Sequence, residues 1–228
     1  MNAWLAVSVL AMGAAVGEWP AFRGLGDSIA KSSDLPLEWS EESVAWRCSL
    51  PGYGQSSPVV WNGRAFVTSI EGEYKDVLLV SAVDVATGKL LWTKRFEGSQ
   101  RVQDSDYVSK GAPTPVVDGE PRVRIFESGD LIALDHEGNE IWKRSLVKEY
   151  GEFKGNHGIG TSPALAKDAV VLLIDHDGPS YLLAVDRKSG ANRWKVDRPS
   201  RVSWTSPTVV DHGDKEVIYL SSSGAAEG

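Results

Sequence analysis

Three stretches of this chain repeat one alternation of apolar and polar positions. Residues 78–84 (LLVSAVD) are an apolar run closed by Asp84, followed by a polar turn to Gly88 and a mixed run to Trp92. Residues 130–142 (DLIALDHEGNEIW) repeat it with Asp135, Gly138 and Trp142, and residues 181–194 (YLLAVDRKSGANRW) with Asp186, Gly190 and Trp194. The pattern predicts a buried strand, a turn opened by Asp, and a second strand ending in Trp. Successive Asp residues lie 51 and 51 positions apart, and successive Trp residues 50 and 52. A period near 50 built only of strands and turns predicts radial repeats, that is, propeller blades.

Each residue of the repeat has a structural task. An Asp carboxylate accepts from backbone N–H groups two or three residues on and so starts the turn. Gly supplies a positive φ at its end. A connection of this length makes a hairpin with a G1-type bulge. Trp buries a large apolar face, is expected to pack between neighbouring blades, and leaves one N–H to satisfy. These residues therefore read as scaffold, not as ligands.

A second motif precedes each copy: Ser57-Pro58, Thr114-Pro115, Ser162-Pro163 and, a fourth time, Ser206-Pro207, each followed by an apolar or β-branched run. Pro lacks a donor and suits the first residue of a strand. Asn62-Gly63 and Asp118-Gly119 are hairpin signals just beyond. A blade then reads as a Ser/Thr-Pro strand, a hairpin, a second strand, a third strand closed by Asp, and an outer strand with Trp. The fold class expected is all-β, a propeller of four-stranded antiparallel blades.

Ser-Pro-Val-Val followed by the Asp84–Trp92 pattern resembles the PQQ-like (pyrroloquinoline quinone) β-propeller repeat over roughly residues 46–223. That repeat occurs in quinoprotein alcohol dehydrogenases, in the BamB-type lipoprotein of outer-membrane barrel assembly and in many secreted bacterial proteins. The opening Trp19-Pro20-Ala21-Phe22-Arg23-Gly24, with Leu35–Trp39 and Val44–Trp46 beyond it, is most similar to the last group.

Taken in order, residues 1–17 are small and apolar, of a length that fits a secretory signal peptide and is short for a membrane span. Ala15 and Gly17 offer small residues for cleavage before Glu18, although the segment lacks Lys and Arg. The expected location is exported, periplasmic or extracellular, with no stable membrane span after cleavage. Residues 18–43 read as an irregular lead-in and 44–228 as the propeller. Val44–Trp46 is expected to be a lone strand ahead of blades at about 53–96, 108–147 and 158–198, with polar connections at 97–107 and 148–157. A partial fourth blade, 204–228, is expected to stop before its third and Trp-bearing strands. The reading is part of a seven- or eight-blade ring; the alternative is a four-blade ring closed by the Val44 strand.

Composition narrows the chemistry. A net charge of −7 and the lack of aromatics interleaved with Lys/Arg argue against nucleic acid as a partner. The single cysteine, Cys48, excludes an intrachain disulfide, and its place well beyond Gly17 departs from a lipidated first residue. The glycine-rich stretches at 52–54 and 158–162 do not lie between a strand and a helix, so neither is a phosphate loop. Asp175-His176-Asp177-Gly178 has two carboxylates two apart but lacks the further ligands of a calcium loop, and reads as a turn. No catalytic residue and no metal ligand is assigned.

The loops before the inner strands are the remaining candidates, because they converge on the mouth of a propeller. Gln55 before blade one, His157 before blade three and Trp204 before blade four are the residues expected to meet a small ligand or a protein partner there. The simpler reading of each as a loop residue stands beside it. Quinoprotein dehydrogenases carry a vicinal Cys pair, a Trp platform, Ca²⁺ ligands and an Asp base; this chain has no Cys pair and no residue matching the base. The resemblance therefore implies an exported non-catalytic scaffold for binding or assembly with no cofactor. The alternative is part of a dehydrogenase dependent on PQQ and calcium, with its catalytic residues elsewhere.

Overall fold

The computed structural model describes residues 17–24, 28–29, 37–38, 40–101, 111–117, 119, 122–126, 128–155, 158–222 and 224–228. Residues 1–16 of the expected signal peptide, Asp118 and His157 lie outside the described residues. The all-β expectation holds. Four antiparallel sheets follow one another along the chain, each built from consecutive strands in sequence order.

Blade one contains β1 (Val59–Trp61), β2 (Arg64–Glu71), β3 (Val77–Asp84) and β4 (Leu90–Glu97). The β1–β2 hairpin turns through Asn62 and Gly63 with φ of 46° and 70°, the left-handed pair an Asn-Gly turn requires. Blade two contains β5 (Arg122–Ile125), β6 (Asp130–Leu134) and β7 (Glu140–Ser145). Blade three contains β8 (Ala164–Leu165), β9 (Ala169–Ile174), β10 (Ser180–Asp186) and β11 (Asn192–Arg198), and blade four β12 (Thr208–Asp211), β13 (Glu216–Ser222) and β14 (Ala225–Glu227).

The repeated Asp-to-Trp hairpins share one irregularity. Register shifts by one residue between Ala82 and Val83, between Ala133 and Leu134, and between Ala184 and Val185. This is the bulge a Gly-terminated turn brings, and it rotates each Trp to the side of the sheet that meets the next blade.

Burial follows strand position. β6 and β9 are buried along their whole length, whereas β4 and β11 alternate or are exposed. Central strands are covered on both faces by neighbouring sheets, so they read as continuous apolar runs. The hydrophobic clusters bridge blades. Ile70 and Val80 pack with Phe126 and Ile132. Val116, Leu131 and Ala133 pack with Val170, Leu172 and Leu183. Val209 and Ile218 of blade four pack on Val171 and Ala184 of blade three.

Several expectations are corrected. Residues 44–50 form no strand, because Trp46 is held through its side chain and no strand edge pairs with its backbone. The outer strands do not end at Trp: β4 continues to Glu97, β7 to Ser145 and β11 to Arg198, since the inward neighbour is long enough to pair them. The connection after blade two is not purely polar. It opens with a short helix α1 (Leu146–Tyr150), capped by Ser145, whose Leu146 and Val147 are buried. Blade two shows three strands among the described residues, as Val116 makes only a single bridge and the Val117 N–H donates elsewhere. Blade four does have a third strand: β14 pairs Ala225 with Ser222 and Glu227 with Leu220.

Candidate functional site

The repeat places two kinds of lock between blades. At the periphery, the indoles of Trp92 and Trp142 donate to the carbonyl of the residue after the next blade's turn Asp. Trp92 Nε1 lies 3.2 Å from His136 O, and Trp142 Nε1 3.1 Å from Arg187 O. Trp46 makes the same bond to Val85 O at 2.7 Å. It thus serves as the outer Trp facing blade one, although it is not on a strand. The indole lies against the turn glycine, and only glycine leaves room for it. A Cβ at Gly88 would stand 2.6 Å from the Trp46 ring, and one at Gly190 2.7 Å from the Trp142 ring. Both glycines have φ of +71°.

The Asp residues hold these turns rigid. Asp84 Oδ1 accepts from the N–H and hydroxyl of Thr87, Asp135 Oδ1 from the N–H groups of Glu137 and Asn139, and Asp186 Oδ1 from Lys188 and Ser189. The Thr87 donors lower the Asp84 pKa, and the Ser189 amide and hydroxyl with Arg193 hold Asp186 well below the usual carboxylate range. At Asp135 burial pushes upward, but the side chain and amide of Asn139 outweigh it and the net shift is downward.

On the axial side, the second lock uses the residue before each proline. The Ser57 N–H donates to Thr114 Oγ1, the Thr114 N–H to Ser162 Oγ and the Ser162 N–H to Ser206 Oγ, each at 3.0 Å. One chain of hydroxyl acceptors runs through all four blades. Sequence reasoning read these residues as strand starters. The recurrence of a hydroxyl, not merely of a proline, was the signal for the lock.

The mouth candidates do not converge on one point. Gln55 is exposed, and Trp204 is half exposed beside Gly160, whose missing side chain admits the indole. Trp204 borders a groove of about 910 Å³. The lead-in residues Phe22 and Arg23 form one wall and Leu165 of blade three with Thr208 and Tyr219 of blade four the other. Gln55 does not line it.

The calcium-loop candidate is a structural turn. Asp175 is buried, and its carboxylate accepts from Arg198 Nε at 3.2 Å and Ser222 Oγ at 2.6 Å, which ties blade three to blade four. His176 is buried against Phe153, and its Nδ1 accepts from the Lys154 and Gly178 amides at 3.1 and 2.9 Å. Two donors on Nδ1 leave the ring proton on Nε2, and burial lowers the His176 pKa. Among the described residues no group of three His, Cys, Asp or Glu side chains is placed to hold a metal ion. The Asp175 carboxylate is thus committed to Arg198 and Ser222, and Cys48 is a free thiol.

Sheets of up to four strands, stacked face to face and pinned by Ser/Thr and Trp locks, define a PQQ-repeat β-propeller. The chain belongs to the family described as outer membrane protein assembly factor BamB, whose model matches residues 36–224. BamB of Moranella endobia is 27% identical over 193 residues, covering 84% of this chain and 43% of that protein. The chain thus spans less than half the length of that curated relative. Among solved structures, BamB from Moraxella catarrhalis is 20% identical over 70% of this chain and 40% of its own, with a TM-score of 0.43. The computationally designed Ika4 protein is 16% identical, with 79% and 94% covered and a TM-score of 0.48. Among the described residues no helix is long and apolar enough to cross a membrane.

Proposed function

We propose that the protein is an exported, non-catalytic PQQ-like propeller that serves as a binding or assembly scaffold in the cell envelope. Membership of the BamB family supports this reading. The observation that carries it is the fate of the repeated polar residues. The turn Asp residues, the Ser/Thr hydroxyls and the indole N–H groups of Trp46, Trp92 and Trp142 are consumed in holding turns and blades. Among the described candidates, Gln55 offers a hydrogen-bonding amide and Trp204 an aromatic face, suited to a protein segment or small ligand rather than to bond-breaking chemistry. No cofactor is required.

The test has two arms on the protein as its source cell makes it. Photo-crosslinkers at Gln55 and Trp204, with one on the outer strand at Lys94 as control, are activated in intact cells. A discrete protein adduct from the mouth positions, absent from the control, is the expected result. The second arm titrates the purified protein with pyrroloquinoline quinone and Ca²⁺. An absorbance change with dye reduction by alcohols or sugars would overturn the scaffold reading in favour of a dehydrogenase.

A further inference from the structure

The lead-in does not run free over the surface. Trp19 and Val60 exchange both backbone hydrogen bonds, at 2.8 and 2.9 Å, as an antiparallel pair on the free edge of β1. One residue on, Pro20 O accepts from the Val117 N–H of blade two at 2.8 Å. Ala21 packs on the cluster that joins blades two and three. The chain then folds back: the Gly24 N–H donates to Ala21 O at 3.0 Å, and a Cβ at Gly24 (φ +66°) would stand 3.0 Å from the Trp19 ring. Six residues thus cross the inner edges of consecutive blades.

The inner edges need such a cover. Val117 is fully buried, and without Pro20 its N–H would be a buried donor without an acceptor. Val60 would turn an unpaired N–H and C=O toward the axis. Backbone pairing of this kind accepts any extended segment, and side-chain fit selects among them. Here selection comes from buried Pro20, which has no N–H to satisfy, and from buried Gly24, which alone fits under the indole. Phe22 and Arg23 point outward and are exposed, as in a peptide laid on a surface and not one built into a core.

We propose that the inner edges of blades one and two form a peptide-binding site, and that Trp19–Gly24 is its resident, displaceable ligand. The segment is a strap that closes the axial side of the propeller. A Trp-Pro-x-Phe-Arg-Gly peptide supplied from outside competes for the same edge. The proposal is independent of the scaffold reading above, because it concerns the chain's own segment.

The test is residue-resolved amide hydrogen exchange on the full chain, comparing wild type with Gly24→Val and Trp19→Ala. Loss of the strap's hydrogen bonds is expected to lower protection at Val60 and Val117 about tenfold in both variants, with central-strand amides of Ala82 and Ala184 unchanged within about twofold. A synthetic peptide of residues 18–24 is expected to restore protection at Val60 and Val117 in the variants, and a scrambled peptide is not. Parallel loss of protection at Ala82 and Ala184 would show that the segment is an integral part of the fold and overturn the proposal. Failure of the native-sequence peptide to restore protection would overturn it as well.

Discussion

Trp142 and Trp194 stand at the same position of consecutive repeats and meet different surroundings. Trp142 lies over Gly190 and gives its N–H to the Arg187 carbonyl. Trp194 is 38% exposed, and Val196 two residues on is exposed as well. The residue and its hairpin are the same; the difference is the turn glycine, which among the described residues lies against Trp142 and not against Trp194. The strength of this fold therefore lies in the interface between blades more than in the blade, as expected for a repeat architecture.

The comparison can be broken most severely at the turn glycine. Gly190→Val forces a β-branched residue to φ +71° and drives its side chain into the Trp142 ring. It is expected to cost about 4 kcal/mol in urea unfolding. Gly213→Ala, at φ +81° with open space around it, is expected to cost about 1 kcal/mol. Next, Trp142→Ala is expected to lose about 3 kcal/mol and Trp194→Ala about 1 kcal/mol or less. Equal losses would show that the indole stabilises its own blade and not the interface.

A smaller effect sharpens the axial lock. Thr114→Val removes the acceptor of the Ser57 N–H with little change of shape, and is expected to cost about 1.5 kcal/mol. Ser57→Ala, at the head of the hydroxyl chain, is expected to cost less than about 0.5 kcal/mol. The smallest effect is that of pH. Because the folded state lowers the His176 pKa, the unfolded chain takes up the proton first. Stability is present above the ordinary value of 6.5 and falls as pH drops below it. The Tm is expected to be lower at pH 5 than at pH 7.5, and His176→Gln is expected to flatten that difference. The lowered pKa values of Asp84, Asp135 and Asp186 act in the same direction further down. Their contribution is present above about 3.8 and lost as pH falls through their folded values.

Much of the blade was legible before any coordinates. The Asp-to-Trp hairpin is local: its bulge, its positive-φ glycine and the bonds to its Asp involve residues within ten positions of each other. The candidate site was harder. Gln55 and Trp204 could be placed in loops ahead of inner strands, but which of them borders a groove depends on where the lead-in runs. The role of Asp175 and His176 likewise depended on Arg198, Ser222 and Lys154, residues that no short motif connects to them.

Periodicity along the chain thus settled the all-β class, the repeat length, the turn chemistry and the family resemblance, because each is written in residues that are neighbours or recur at fixed spacing. Contacts between residues far apart in the chain were decided only in three dimensions: Trp46 standing in for an outer strand, the Ser/Thr hydroxyls stitching the axial side, and Trp19–Gly24 laid over the inner edges. The physical reason is the same in each case. A backbone N–H, an indole N–H or a strand edge states a need for a partner, and only the packing of one blade on the next determines which residue meets it.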